Sequence, residues 1–506
     1  MARSWMDLGL PARRLRGRLV LCALLGAVVA SGLAPLGWWW LAMPALAALF
    51  GVLAQEKGWR AATALGWFAG AGYFAAGMFW IVNPFLIDVQ QDGWMAPFAL
   101  VFMSFGMALF WALAAGLAVP LGRDQRGRAL AFAVLLAATA LLRTYVLTGF
   151  PWNLVGHIWI GAWPAQVAAL VGAIGLTLMT TLAAAAPAAF GLVRGTIFAS
   201  ALLGAAGGYG LWRLDLPEPA PAHPGIVRLV QPNATQSLKW QPELQREFFR
   251  RLLEQTALPG TPKPDLIVWP ETAVPFLLNR AGQGLQLIAS AANGATVALG
   301  IQRTEADRAY NSLAVLDPAG RVTSTYDKHH LVPFGEYIPL GDLLYRITGI
   351  PDYAPSQGNG YTPGPGAAVL DLGPLGSVLP LICYEAVFPQ DVSAAPRRAD
   401  WMLQVTDDAW FGTLSGPFQH LAQARLRTIE QGLPMLRDAN TGVSAVIDAR
   451  GRVLQSLPML AEGHIDAAIP GAFPPTPYSR TGDMPIAVLL LALAFGLFLR
   501  RRRIAH

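Results

Sequence analysis

Residues 144–193 read TYVLTGFPWNLVGHIWIGAWPAQVAALVGAIGLTLMTTLAAAAPAAFGLV, fifty residues without one Asp, Glu, Lys or Arg. A helix crossing a bilayer needs about 20 mostly apolar residues, so this stretch can hold a crossing together with its connections. Working outward, the same pattern recurs. Leu19–Ala54, Ala61–Ile87, Gly93–Gly122, Ala129–Leu142, Gly195–Trp212 and Met484–Leu499 are equally free of charge. Only 13% of the 506 residues are charged and 54% are hydrophobic, against about 25% charged in soluble proteins. The pattern predicts eight spans, at about 19–35, 38–54, 61–82, 95–119, 129–147, 165–192, 196–212 and 485–499. A buried core helix explains any one of them but not eight. Leu19–Ala34 runs at once into another apolar stretch, which argues against a cleaved leader.

Basic residues near span ends mark the cytoplasmic side. Arg13, Arg14, Arg16 and Arg18 precede the first span, and Lys57 and Arg60 separate the second from the third. Arg123, Arg126 and Arg128, then Arg194, then Arg500–Arg503 follow in alternate connections. Residues 83–94 carry only Asp88 and Asp92, and 148–164 carry no charge. All basic clusters fall on one side if both termini are cytoplasmic and the long segment before the last span lies outside. The net charge of +6 and the pI near 9.5 then report topology, and nucleic acid is not an expected partner.

Three regions are expected: a seven-span transmembrane domain over 1–213, a soluble domain over 223–470, and a last span with a basic tail over 484–506. Proline-rich linkers, 217–224 and 470–477, flank the soluble part. Its short apolar runs (226–230, 266–269, 296–300, 312–316, 378–382, 401–405, 435–438 and 443–448) alternate with helix-like stretches at 242–256, 282–292 and 417–431. Such alternation predicts an α/β layered fold. The two cysteines, Cys22 in a span and Cys383 in the domain, are not placed to pair.

Cys383 ends the apolar run SVLPLIC, Glu271 ends DLIVWPE, and Lys328 lies in TYDKHHLVPFGEYIP at 325–339. Singly, each has an ordinary reading: a buried thiol, a turn-capping carboxylate, a solvated surface charge. Together they form an ordered set of nucleophile, base and cation, the combination that thiol catalysis requires.

Strand–Pro-Glu, then Tyr-Asp-Lys-His-x-Leu-x-Pro-Phe-Gly-Glu, then strand–Cys-Tyr-Glu resembles the nitrilase superfamily, whose α-β-β-α sandwich the soluble half is expected to share. With seven spans before it and one after, the chain resembles the apolipoprotein N-acyltransferase family over nearly its whole length. LTGFPW at 147–152, QSLKW at 236–240, TDDAWFG at 406–412 and GPFQH at 416–420 carry the same likeness. Asp407 departs from it, since Asn is the commoner residue there, and the departure is not expected to touch Glu271, Lys328 or Cys383.

The resemblance implies an enzyme of the bacterial inner membrane, its catalytic domain periplasmic. It would move an acyl chain from a membrane phospholipid to the α-amine of the N-terminal diacylglyceryl-cysteine of an apolipoprotein. Glu271 would be the general base and Cys383 the nucleophile of a ping-pong reaction through a thioester. Lys328 and the Tyr384 N–H would stabilise the oxyanion, with no metal or organic cofactor. Glu336 is implied to hold Lys328, and Tyr384 and Glu385 to shape the nucleophile strand; a surface carboxylate and a structural pair are the plainer alternatives. Trp240 is implied to lie on a loop near the site, against a core tryptophan. His329, His330 and His420 read as structural. The apolar stretch 339–351 is read as an arm at the membrane surface. A membrane-tethered amidase or nitrilase hydrolysing a C–N bond would use the same three residues.

The charge pattern makes a direct prediction. Single cysteines introduced at Gly358 and at His506 should label oppositely with an impermeant thiol reagent on intact spheroplasts. Labelling of both, or of the C-terminus alone, would contradict the orientation.

Overall fold

The computed structural model describes residues 12–239, 241–349 and 360–503. Trp240, the end of the expected apolar arm from residue 350, and the labelling positions Gly358 and His506 lie outside the described residues. The chain divides into two compact units. One comprises Met1–Leu216, Leu414–Ala422 and Thr476–His506; the other comprises Pro217–Thr413 and Gln423–Pro475.

The first unit is helical. Among the described residues it holds eight helices of 17 residues or more: Ala12–Ala30, Trp39–Gln55, Trp59–Gly77, Ala96–Leu121, Gln125–Tyr145, Ala168–Phe190, Leu192–Asp215 and Met484–Arg503. They fall on the eight charge-poor stretches. Among the described residues, four helical segments are long and apolar enough to cross a membrane: Val89–Leu121, Gln125–Tyr145, Trp163–Phe190 and Met484–Arg501. Trp59–Gly77 and Phe79–Leu86, bent by 52° at their junction, meet the measure as one broken span. Trp39–Gln55 is apolar but has only 17 residues. Length and composition alone therefore fix four or five spans and leave the expected eight open.

Three sets of contacts show what holds this unit together. Helices 12–30 and 59–77 approach backbone to backbone. A Cβ at Gly26 would sit 2.0 Å from the Ala69 carbonyl oxygen, and one at Gly72 would sit 1.9 Å from that of Ala23. Small residues permit this approach where helices pack without water. Arg143, buried inside an expected span, is satisfied locally. Its guanidinium donates to the carbonyls of Phe150 (2.7 Å), Trp152 (2.7 Å) and Asn153 (3.3 Å) and lies 5.0 Å from the centre of the Phe74 ring. Gln419, from the 414–422 segment, accepts from the indoles of Trp80 (3.1 Å) and Trp152 (2.7 Å) and donates to the Gly77 carbonyl (2.9 Å).

The second unit is built on twelve strands. These are β1 Ile226–Gln231, β2 Leu266–Trp269, β3 Thr296–Glu305, β4 Arg308–Leu316, β5 Val322–Asp327 and β6 Leu370–Asp371. They continue with β7 Ser377–Ile382, β8 Trp401–Thr406, β9 Met435–Ala439, β10 Ser444–Ile447, β11 Val453–Leu457 and β12 Gly463–Ala468. They form two six-stranded sheets, ordered β12-β1-β2-β3-β4-β5 and β11-β10-β9-β8-β7-β6. β1, β2 and β3 run parallel, as do β7, β8 and β9. Strands covered on both faces read as unbroken apolar runs, which is why β2, β7 and β8 are legible in the sequence. Helices Pro242–Ala257 and Gly282–Ala292 cover the first sheet through Leu252, Leu285 and Ile288, packed on Ile267, Trp269 and Leu299. Arg228 ties β1 to β12 with a two-toothed pair to Asp466 at 2.7 and 2.6 Å. In sheets of this kind the carboxyl ends of the strands form the working edge. β2, β5, β7 and β8 each deliver a functional group there.

Gly72→Val should separate helices 12–30 and 59–77 and lower the thermal midpoint of the detergent-solubilised protein, a cost of roughly 1–3 kcal/mol or more. Gly51→Ala is the control, because nothing lies within 4 Å of the added carbon. Equal midpoints for the two variants would refute the close crossing.

Candidate active site

Glu271 follows β2 across Pro270 and is buried. Its Oε1 accepts from Asn311 Nδ2 at 2.7 Å and from Lys328 Nζ at 3.3 Å, and its Oε2 accepts from the Asp407 N–H at 2.8 Å. The turn is tight. Gly300 on β3 lies so close that a Cβ there would meet the Pro270 carbonyl oxygen at 2.3 Å and Glu271 Cα at 2.6 Å. Thr272 takes a φ of +44°, a left-handed conformation that a β-branched residue adopts only when its surroundings hold it there.

Lys328 is 1% exposed and follows β5. Its N–H donates to the Asn311 carbonyl at 2.8 Å, and its ammonium meets Glu336 Oε1 at 2.8 Å as well as Glu271. Burial works against the charge. The Glu271 and Glu336 carboxylates and Cys383 outweigh it and hold the ammonium well above its ordinary range. Glu336 is in turn fixed by the Val332 N–H at 2.8 Å on its second oxygen.

Cys383 closes β7 with a φ of +51°, so the chain turns sharply at the thiol and enters the short 3-10 helix Cys383–Val387. Burial pushes the thiol well above its ordinary range, Glu271 adds to this, and Lys328 opposes it. The sulfur is thus within electrostatic reach of both other members of the set. Its carbonyl accepts from Gln404 Nε2 at 3.0 Å. Behind it, Asp408 and Arg437 form a fully buried pair at 2.5 Å.

Glu385 stitches two loops together. It is fully buried and accepts from the N–H of Ile382 (2.7 Å), just before the thiol, and from those of His329 (2.8 Å) and His330 (3.3 Å), just after Lys328. Tyr326 OH donates to it at 2.9 Å and His329 Nδ1 lies at 2.8 Å. Burial alone would raise this carboxyl; the hydrogen bond and charge of His329, with the backbone donors, bring it below its ordinary range. His330 lies 2.7 Å from Asp391 and stacks on Phe388 with ring centres 3.6 Å apart. Tyr384 is buried against the same two rings.

The arrangement has a thiol, a carboxylate and an ammonium in one buried pocket of charge, with a second carboxylate on the ammonium. It can move a proton from sulfur to carboxylate and stabilise negative charge on a reacting oxygen. Glu271, Lys328 and Glu336 come together by direct contact, and Cys383 is near enough for the charges of Glu271 and Lys328 to act on it; Glu385 acts through backbone N–H groups, and Trp240 lies outside the described residues. Sequence reading passed over Asn311, which bridges Glu271 and Glu336 at 2.7 and 3.3 Å. Its signal was an amide inside a strand core. It also passed over Lys239 and Gly300. Among the described residues no group of His, Cys, Asp and Glu side chains is placed to hold a metal ion.

Residues 226–473 match the carbon-nitrogen hydrolase family, and residues 25–186 match the apolipoprotein N-acyltransferase N-terminal domain. The apolipoprotein N-acyltransferase of Caulobacter vibrioides is 42% identical over 459 residues, 87% of this chain and 86% of that protein. That of Brucella melitensis is 40% identical over 474 residues (88% and 87%), and that of Rhodopseudomonas palustris 37% over 514 residues (96% and 95%). Among solved structures, a CN-hydrolase superfamily protein from Xanthomonas campestris is similar at 21% identity and TM-score 0.35. The overlap takes in 49% of this chain and 91% of that one. A nitrilase-superfamily amidase from Nesterenkonia is similar at 16% identity and TM-score 0.39, over 54% and 98%.

The opposing effects on the thiol carry a sign. Lys328→Met removes the charge that favours thiolate, so alkylation of Cys383 by iodoacetamide at neutral pH should slow by about tenfold or more. A rate equal to wild type would show that the ammonium does not act on the sulfur.

Proposed function

We propose a function from one premise that the comparisons establish: this chain belongs to the apolipoprotein N-acyltransferase family. It is an acyltransferase of the nitrilase superfamily, carried on a helical membrane unit. On the proposed reading it takes an acyl chain from a membrane phospholipid and places it on the α-amine of the N-terminal diacylglyceryl-cysteine of an apolipoprotein. The observation that carries this reading is the buried Lys328 ammonium shared by Glu271 and Glu336, beside a strained Cys383 elbow.

In the first half-reaction Glu271 takes the Cys383 proton, and the thiolate attacks the ester carbonyl of the phospholipid. Lys328 and the Tyr384 N–H bear the oxyanion. Its collapse breaks the ester C–O bond, the leaving alkoxide takes the proton back from Glu271, and a thioester remains on Cys383. In the second half the acceptor amine attacks the thioester and loses a proton to Glu271. The C–S bond breaks, and the thiolate recovers that proton. The enzyme ends unchanged, and no redox partner is called for.

We further propose eight spans, both termini in the cytoplasm and the second unit on the periplasmic side of the inner membrane, from the alternation of basic and non-basic connections. Domain limits of 1–213, 223–470 and 484–506 belong to the same reading. The helix Gly341–Thr348 and its approach expose Phe334, Leu340 and Ile347 by 81%, 73% and 72%, apolar surface suited to a lipid interface. The second reading, a membrane-tethered amidase, draws on the carbon-nitrogen hydrolase match of 226–473; it differs only in letting water take the acyl group.

With phospholipid and no acceptor, the enzyme should accumulate an acyl thioester on Cys383, detectable by mass spectrometry and cleaved by neutral hydroxylamine. A diacylglyceryl peptide with a free N-terminal amine should discharge it to an amide. Cys383→Ala should form neither product, and Cys22→Ser should form both. Discharge mainly to free fatty acid in the presence of acceptor would favour the hydrolase, and product formation without a trappable thioester would rule out the covalent path.

A further inference from the structure

We propose that Lys239 and Asp407 form a second buried ion pair that positions Glu271 and cancels a carboxylate charge beside it. The proposal rests on the reading of Glu271 as the proton acceptor. Lys239 Nζ donates to Asp407 Oδ2 at 2.6 Å, to Thr272 Oγ1 at 3.0 Å and to the Glu271 carbonyl at 3.4 Å. Asp407 is fixed by Asn440 Nδ2 at 3.0 Å, and its own N–H donates to Glu271 Oε2 at 2.8 Å. Glu271 is therefore gripped at both ends, by Asp407 at the carboxylate and by Lys239 at the backbone.

Two independent features give this pair work to do. The first is strain. Thr272, next to Glu271, has a φ of +44°, which costs on the order of 1–3 kcal/mol and persists only where neighbours hold it. The Lys239 ammonium bonds both the Thr272 hydroxyl and the preceding carbonyl, so it holds the strained unit directly. The second is charge. Glu271, Glu336 and Asp407 are bonded to two ammonium groups, Lys328 and Lys239, while Asp408 near the thiol is paired with Arg437. Without Lys239, the Asp407 carboxylate stands without its ammonium partner on the residue whose N–H bonds Glu271. An extra buried negative charge there opposes formation of a thiolate and of an oxyanion. Asp407 occupies the position where Asn is expected, so this chain carries a charge that an amide would not. Lys239 is what makes the carboxylate tolerable.

The test compares full-length, detergent-solubilised Lys239→Met, Lys239→Met/Asp407→Asn and Glu271→Gln enzymes. Three quantities are read: the rate constant for Cys383 alkylation by iodoacetamide, the rate of thioester formation from phospholipid, and the thermal midpoint. Rates are taken per folded molecule, below the midpoint. Lys239→Met should lower both rates by about tenfold or more, the change that one pKa unit on the thiol produces. The double variant, with the surplus charge gone, should recover most of the alkylation rate. A pair that is only structural would lower the midpoint and leave the rates of the folded enzyme at wild type, which overturns the proposal. A double variant as slow as Lys239→Met overturns the charge cancellation. If Glu271→Gln forms thioester at the wild-type rate, the base assignment itself fails, whatever Lys239→Met does. If Glu271→Gln is inactive and Lys239→Met unimpaired, the ion pair alone is refuted.

Discussion

A buried ammonium is the constraint on which the second unit turns. Lys328 is almost without solvent contact, and an isolated charge in that position would cost several kcal/mol. It is tolerable because Glu271 and Glu336 both face it, and each carboxylate is itself held by further donors: Asn311, the Asp407 N–H and the Val332 N–H. The groups arrive from β2, from β5, from the strand core of β4 and from the carboxyl end of β8. No two of them are neighbours in the chain. The cluster can exist only once both sheets have formed and their edges are aligned, so the fold and the chemical site are specified by the same contacts.

Strain is stored where the chemistry is proposed. Cys383 and Thr272 both occupy left-handed backbone conformations, and neither side chain favours them. Each sits at the end of a fully buried strand, β7 and β2, whose ladder on both sides fixes the point of departure. Glu385 then fixes the path after the thiol by taking the Ile382 N–H and the two N–H groups beyond Lys328. A carboxylate used this way aligns nucleophile and cation without touching either reacting atom. Acting through the N–H groups that flank both, Glu385 is a positioning residue of the proposed reaction.

How far the sequence could be read follows from the same physics. Buried central strands are mostly apolar, so β1, β2, β3, β4, β7, β8, β9 and β10 stand out as runs even where a paired Arg228 or Arg437 interrupts them. β5 and β11 are largely exposed along their length and show no such run, and two-residue β6 is too short for any pattern. Helix 282–292 was bounded correctly because its apolar positions recur at helical spacing. Glu271 and Cys383 are legible because each ends an apolar run, and Lys328 because it lies in the motif between them. Asn311, Gly300 and Lys239 are not. Their roles depend on partners 40, 29 and 32 positions away at Glu271; QSLKW marks the stretch around Lys239 but not its partner, and nothing local marks Asn311 or Gly300. In the membrane unit, Arg143 was overlooked as a lone charge at a helix end, whereas three carbonyls and an aromatic face hold it inside. Charge-poor stretches located every long helix of that unit, but composition alone could not say how many cross the bilayer.

The two half-reactions proposed here are chemically one event run twice. Each time a nucleophile gives a proton to Glu271 and a leaving group recovers it, first sulfur against oxygen and then nitrogen against sulfur. Lys328 keeps its charge throughout, held there by Glu336 even in the moments when Glu271 is neutral. Glu336 holds the ammonium in place while Glu271 is neutral, when the negative charge has moved to the sulfur and then to the oxyanion that Lys328 serves. The raised thiol fits the same scheme. Burial and the nearby Glu271 charge keep Cys383 protonated at rest, so the nucleophile is armed only by transfer of its proton to Glu271. Once Glu271 is neutral the charge that disfavoured the thiolate is gone, and Lys328 acts on the sulfur unopposed by it. The resting thiol is thus a slow nucleophile, and the reactive state arises with the proton already positioned for the leaving group.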